Sequence, residues 1–451
     1  MTSTDDVSAT AAPSSGTRRP LLAWVAWDCG QASFQAVITT FVFTVYLTGS
    51  VAADETGGSS ALGLAIALSG IAVALVAPVW GQRGDAAGNE HRRQRRLGTM
   101  TAACVACTAA MVFVAPSPGY LPLGLVLLGL GTFTYELAFV EYNALIPQIA
   151  PSGRAGRVSA IGWAAGYVGG LVLLAACAVL FLVSLSSTTI RVITVLCAVW
   201  FGLFALPVVL VRLPFAPAPG DPQSARSGVL GAYRLLVRRL VALRREDPHL
   251  LGFLVSSAIF RDGLTGIFTL GGVLATGTFG LSTSDVILFA IAANLVSAVG
   301  ALVGGRFDDR VGPKPVIVAC LAALVVVAVV LLFTAGPLAF WIGGLALCLF
   351  VGPAQACSRS YLTRIVPRGR EGEIFGLYAT TGRAVSFLAP ALFSLFVLVF
   401  ADQQWGIAGI GIVLLLGLLT LLPVRGVPGA AGAGGAARAD TVAGPGPAGV
   451  S

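Results

Sequence analysis

Charge is scarce in this sequence: 11% of its 451 residues are charged, against about 25% in soluble domains, while 56% are hydrophobic. A chain of that balance is not a soluble monomer. Histidine is rarer still, with only His91 and His249. Cys104-x-x-Cys107 has no second cysteine pair to join it, so the ligand arithmetic argues against a metal site. No Walker sequence, nucleophile elbow, H-E-x-x-H or Rossmann fingerprint sits in a suitable loop. An ATP-driven pump and a membrane enzyme therefore lack support, and no catalytic residue, cofactor or metal is expected. The net charge of +8 is spread in short clusters between apolar runs, which excludes one continuous basic surface for nucleic acid. All eight cysteines lie inside apolar runs and read as small core residues.

What is abundant is the long apolar run. About twenty apolar residues cross a bilayer's hydrocarbon core, and such runs fall at 22–46, 61–80, 97–115, 121–146, 158–184 and 190–211. After a polar segment they resume at 250–274, 286–303, 315–333, 338–362, 374–400 and 405–422. The expected fold is an all-α membrane protein of twelve transmembrane helices in two six-helix pseudo-repeats. Arginines test that count, because cytoplasmic loops are enriched in Lys and Arg. Clusters occupy alternate loops: Arg18 and Arg19, then Arg83, Arg92, Arg93, Arg95 and Arg96, then Arg154 and Arg157. The alternation continues through the central loop, then Arg306, Arg310 and Lys314, then Arg364, Arg368 and Arg370, with only Arg191 at an outer boundary. Both termini are thus expected in the cytoplasm. The expected divisions are a disordered N-terminus 1–20, a first bundle 21–212, a basic central loop 213–248, a second bundle 249–424 and a disordered tail 425–451. A cleaved export signal is rejected, since the first run is long and interrupted by Asp28, Gln31 and Gln35.

Each half carries a related loop pattern: Gly81-x-x-x-Asp85, and Gly305-x-x-x-Asp309-Arg310-x-Gly312-x-Lys314. Glycines permit a tight turn there, and the aspartate can accept from helix N-termini or an arginine. The pattern resembles the loop signature of the major facilitator superfamily, although no arginine follows Asp85 directly. A closer resemblance rests on Trp24-Val25-Ala26-Trp27-Asp28, Glu141-Tyr142-Asn143-Ala144-Leu145-Ile146-Pro147 and the run from Gly162 to Gly170. With Arg261-Asp262-Gly263-Leu264, the run from Ala354 to Ser360, and Phe375-Gly376-Leu377-Tyr378, these are similar to the Atg22-like vacuole effluxer branch, the UMF1 family. That resemblance implies a facilitator-fold transporter and, as the family's named activity, amino-acid efflux from a vacuole. The Arg-heavy, Ala/Gly/Val-rich chain looks bacterial, so a multi-pass protein of the cell membrane is expected instead.

Ionisable groups inside spans are costly and mark function by default. Here they are Asp28, Glu136, Glu141, Arg261, Asp262, Arg359 and Arg383. They fall on helices one, four, seven, ten and eleven; in the facilitator fold that the chain resembles, helices one, four, seven and ten line the central cavity. Trp24, Asp28, Gln31 and Gln35 recur at i, i+4, i+7 and i+11, one polar stripe. Glu136, Arg261, Asp262, Arg383, Gln31 and Gln35 are the candidates for substrate binding or coupling. Asp28, Glu141, Arg359, Asp85, Asp309 and Arg310 are the candidates for gating or interdomain latches. An acidic first half facing a basic second half suits a zwitterion, amine toward Glu136 and carboxylate toward Arg261 or Arg383; the competing reading pairs these charges with one another. Glu136 is the candidate for proton coupling. Tyr135, Phe139, Tyr142, Trp163 and Tyr167 are expected against lipid or a neighbouring helix more than in a cavity. The expected function is secondary active export of a small polar solute, with an amino acid as the candidate, and with drug efflux and a non-transporting receptor or scaffold as alternatives. The expected partners are that solute, protons and the lipid bilayer, without nucleic acid.

Overall fold

The computed structural model describes residues 15–85, 90–151, 153–184, 186–211, 247–367 and 369–427, with a few positions between 231 and 245. Most of the central loop 213–248, residues 1–14 and residues 428–451 lie outside the described residues. Among the described residues, twelve helices are long and apolar enough to cross a membrane. In chain order they are α1 (Arg18–Val51), α2 (Gly57–Asp85), α3 (Arg92–Phe113), α4 (Pro118–Ile149), α5 (Ala155–Leu182) and α6 (Ser187–Leu210). The second six are α7 (Pro248–Gly277), α8 (Leu288–Val311), α9 (Pro313–Leu332), α10 (Pro337–Ile365), α11 (Glu371–Phe400) and α12 (Gln403–Leu421). Every apolar run in the sequence corresponds to one of them. Residues 15–20, expected in a disordered N-terminus, are instead the first turns of a helix spanning Ser15–Ala32. Pro20 is tolerated there because the bond it forfeits, to the carbonyl four residues back, lies near the helix end.

Local chemistry sets the helix starts. Asp247 accepts from the Leu250 amide with Pro248 at the first helical position, and Ser282 and Asp285 form a capping box before α8. Before α9 and α10 the chain turns through Gly312 (φ 90°) and Gly336 (φ 86°), each followed by a proline that fixes the first helical residue. Midway along their length α1 and α11 depart from regularity. Over Ser33–Phe41, α1 widens to i→i+5 bonds, and the hydroxyls of Thr39 and Thr40 both donate to the Gln35 carbonyl at 2.7 and 2.8 Å. In α11, Pro390 lacks the amide that would reach Ser386, and the helix breaks into Glu371–Val385 and Leu388–Phe400.

Packing shows the repeat. In the first half α1 lies on α5 and α6, α4 on α2 and α3, and α3 on α6. Adding six to each number gives the pairings of the second half: α7 on α11 and α12, α10 on α8 and α9, and α9 on α12. The contacts between halves obey the same operation, since α2–α11 becomes α8–α5 and α4–α11 becomes α10–α5. The two halves are thus related by a twofold pseudosymmetry, as expected of the fold that the chain resembles. Glycines let these pairs approach: a Cβ on Gly169 would lie 2.3 Å from the Cys29 carbonyl, and one on Gly300 2.1 Å from that of Leu349.

Candidate functional site

Contacts between the halves are densest at the end of the bundle that carries the arginine-rich loops. Asp85, at the end of α2, accepts from the Gly372 and Glu373 amides, each at 2.8 Å, and so caps the first turn of α11. Asp309, at the end of α8, accepts from the Gly156 and Arg157 amides at 3.0 and 3.2 Å and caps α5 in the same way. Each aspartate stands four residues after a glycine that admits the opposing helix. A Cβ on Gly81 would fall 1.8 Å from the Gly372 carbonyl oxygen, and one on Gly305 would fall 2.4 Å from the Ala160 Cβ.

Arginines brace both caps. Arg93 pairs with Asp85 and reaches Glu141 at 3.3 Å. Arg96 lies 2.9 Å from the other Glu141 oxygen and 3.9 Å over the Trp80 ring. Glu141 therefore binds arginines of its own half and makes no ion pair with the second half among the described residues. On the pseudosymmetric side Arg364 pairs with Asp308 at 2.6 Å and Asp309 at 3.2 Å. Arg310, expected as a gate residue, is exposed and makes no ion pair among the described residues. One position beyond Asp309 on a helix, it points roughly 100° away.

Deeper in the bundle Arg359 of α10 is 2% exposed and held almost wholly by the first half. It donates to Asp28 at 3.2 Å, to the Ser159 hydroxyl at 3.0 Å, to the Ser159 carbonyl at 2.6 Å and to Asn143 at 3.4 Å. Tyr142 and Gln31 donate to the same carboxylate at 2.8 and 3.1 Å. Gly162 makes room, since a Cβ there would lie 2.5 Å from Asp28 and 2.7 Å from Arg359. Aromatic rings wall this knot: Trp24 and Trp27 stack on Tyr142 at 4.5 and 4.2 Å, and Tyr135 and Phe139 extend the column. The rings of α4 thus meet a neighbouring helix, as their composition suggested.

Beyond the knot, exposure rises along the polar stripes. On α1, Asp28 and Gln31 are buried and Gln35 is exposed. On α7, half-buried Arg261 is followed at i+4 and i+8 by exposed Thr265 and Thr269. At the boundary Glu136 of α4 pairs with Arg383 of α11 across the halves. Arg261 stacks 3.8 Å over the Tyr378 ring, donates to its carbonyl at 3.2 Å, and lies beside Gly382. No carboxylate pairs with Arg261 among the described residues. Asp262 accepts from the Ala389 amide at 2.6 Å. Above this layer the polar side chains Gln35, Thr265 and Thr269 are exposed, and below it Asp28 and Arg359 are buried.

The family described as vacuole effluxer Atg22-like matches residues 44–430. This chain belongs to that family. The Atg22-like chain is 25% identical over 407 residues to an uncharacterised MFS-type transporter, YxiO, of Bacillus subtilis, covering 88% of this chain and 92% of that one. It is 23% identical over 262 residues to autophagy-related protein 22-2 of Aspergillus clavatus, covering 53% of this chain and 43% of that protein. The chain thus spans less than half the length of that fungal relative. Among solved structures the proton:xylose symporter XylE aligns with a TM-score of 0.71 at 13% identity, covering 92% of this chain and 97% of that one. The transporter FucP in its outward conformation aligns at 0.67 and 12% identity, covering 90% and 98%. The Atg22-like chain is a multi-pass membrane transporter of the major facilitator superfamily.

Sequence reasoning had placed Asp28, Glu136, Arg261, Arg359 and Arg383 on the right helices and left their partners open. It missed Asp308 beside Asp309, and it read Arg93, Arg96 and Arg364 only as orientation signals. The loop pattern that singled out Asp85 and Asp309 was the one available pointer to those arginines.

Proposed function

We propose that this Atg22-like transporter exports a small zwitterionic solute, an amino acid or short peptide, across the cell membrane, with its arginine-rich end in the cytoplasm. The observation that carries the reading is the layer where Glu136 meets Arg383 beside Arg261. One carboxylate is paired with one guanidinium there, and a second guanidinium stands without a carboxylate among the described residues, at the boundary between the closed seam and the exposed polar stripes. A solute amine can take Glu136 from Arg383, and the solute carboxylate then receives Arg383 and the stacked Arg261. Exchange of one ion pair for two leaves Glu136 and Arg383 each with an opposite charge and gives Arg261 one, which matters where desolvation is costly. Solute bound this way draws α4, α7 and α11 together, and the halves then rock about it. The arginine alternation supports the orientation, and the family's description as effluxers supports export.

The test is counterflow and gradient-driven uptake in proteoliposomes with a panel of labelled amino acids and dipeptides, comparing wild type with Glu136→Gln and Arg261→Ala. Saturable flux reduced at least tenfold in both variants is expected, equivalent to about 1.4 kcal/mol per tenfold. Flux of lipophilic cationic dyes with none of the zwitterions would overturn the assignment.

A further inference from the structure

Six of the carboxylates treated above have an arginine: Asp28 has Arg359, Glu136 has Arg383, Glu141 and Asp85 share Arg93, and Asp308 and Asp309 share Arg364. Asp262 has none among the described residues. It is 7% exposed, and the one bond it makes among them is to the Ala389 amide. Ala389 packs 3.0 Å from where a Cβ on Gly266 would stand, and Leu414 of α12 closes on Gly263 at 2.8 Å by the same measure, so the surroundings are apolar. The titratable groups on the packed elements are engaged elsewhere. Arg261 on α7 lies over Tyr378, Arg383 on α11 pairs with Glu136, and the Tyr378 hydroxyl meets Ser358 at 2.7 Å. On α10 Arg359 pairs with Asp28, the Tyr361 hydroxyl donates to the Arg425 carbonyl, and Cys348 and Cys357 are buried thiols. On α8 Asp285 lies in its capping box, Asp308 and Asp309 pair with Arg364, and Arg306 and Arg310 sit at the same far end. Between Gln403 and Leu421, α12 carries no titratable side chain.

We infer that Asp262 is the proton-coupling group of this transporter, and that it acts through the break in α11. The inference rests on the transporter reading above and assigns its coupling ion. A carboxylate without a counter-ion in an apolar, membrane-spanning setting is stabilised either by a strong local dipole or by a proton. Asp262 alternates between the two. Ionised, it caps the half-helix Leu388–Phe400 at Ala389 and fixes the angle of the break. Protonated, the carboxyl is neutral, the charge–dipole attraction is gone and the break is free to bend. The half-helix on the other side of that break carries Arg383 in its last turn, so its swing draws Arg383 away from Glu136. The proton enters from the open side, is carried as the carboxylic acid and leaves as the ion when the other side opens, one proton per cycle.

Electrometry on proteoliposomes adsorbed to a solid-supported membrane tests this without any solute. A step from pH 8 to pH 5 should give a transient charge displacement in wild type and in the control Asp285→Asn, whose carboxylate lies in a capping box away from the site. In Asp262→Asn, shown monodisperse and folded, it should fall at least fivefold, and Asp262→Glu should retain it. A full-size transient in Asp262→Asn, or its loss in Asp285→Asn as well, would overturn the inference. The amino-acid panel is the second arm. Asp262→Asn should keep counterflow, which needs no proton gradient, and lose gradient-driven uptake; equal loss of both assigns Asp262 a structural role and also overturns it. Failure of the solute reading looks different, because the panel is then silent in every variant while the wild-type transient persists.

Discussion

Arg359 illustrates how one residue can decide which conformation a transporter occupies. It belongs to the second half by sequence and to the first half by its hydrogen bonds, all of which break when the halves part at the arginine-rich end. Removing one partner of a buried pair costs about 3–5 kcal/mol, because the remaining charge is stranded. For Asp28→Asn that cost falls on the closed seam alone, since water reaches Arg359 once the seam opens. The open state should therefore gain. Spin labels at Arg83 and Arg310, exposed and on opposite halves, should report a longer distance in Asp28→Asn than in wild type; an unchanged distribution would show that the pair does not hold the seam. Gly162→Ala should act in the same direction, because its Cβ intrudes on both charged groups. Asp28 was legible in the sequence as a charge in an apolar run. Its partner was not, because 331 residues separate them and only the packed halves bring them together.

At the scale of the helix, glycine content divides into positions that serve packing and positions that do not. Gly63 and Gly70 of α2 have nothing within 4 Å of a built Cβ, whereas Gly81, on the same helix, would drive one into the α11 backbone. Alanine at Gly63 should stabilise the detergent-solubilised protein by up to about 1 kcal/mol through lost unfolded-state freedom. Gly81→Ala should lower its thermal midpoint and lengthen the distance between the spin-labelled halves. Similar midpoints for the two variants would mean that α2 and α11 do not meet as closely as described. The break in α11 invites the opposite change. In Pro390→Ala the amide at 390 is restored and can bond to Ser386, so the helix is free to run straight. We expect a higher thermal midpoint together with at least a tenfold loss of gradient-driven flux, which a purely structural kink would not produce. The spans themselves were readable because length and arginine alternation constrain them independently. The break was not, since a proline in an apolar run is compatible with either a kink or a continuous helix.

For the molecule as a whole the pseudosymmetry makes a quantitative demand. Asp85 caps α11 and Asp309 caps α5, each through two main-chain amides. If either becomes asparagine, its arginine keeps a second carboxylate: Arg93 keeps Glu141, and Arg364 keeps Asp308. Neither variant strands a buried charge, so each removes only the charge-assisted cap, worth about 1.5–3 kcal/mol. The two seams lie on different helix pairs, α2–α11 and α5–α8, and both must part when the arginine-rich end opens. Their contributions to closure should therefore add. Asp85→Asn and Asp309→Asn should raise the ratio of open to closed protein by similar factors, roughly tenfold or more each, and the double variant by their product, read from the same pair of spin labels. A silent Asp309→Asn beside a strongly opening Asp85→Asn would show that one seam carries the closure and that the repeated loop pattern is a symmetry of fold without a symmetry of energy.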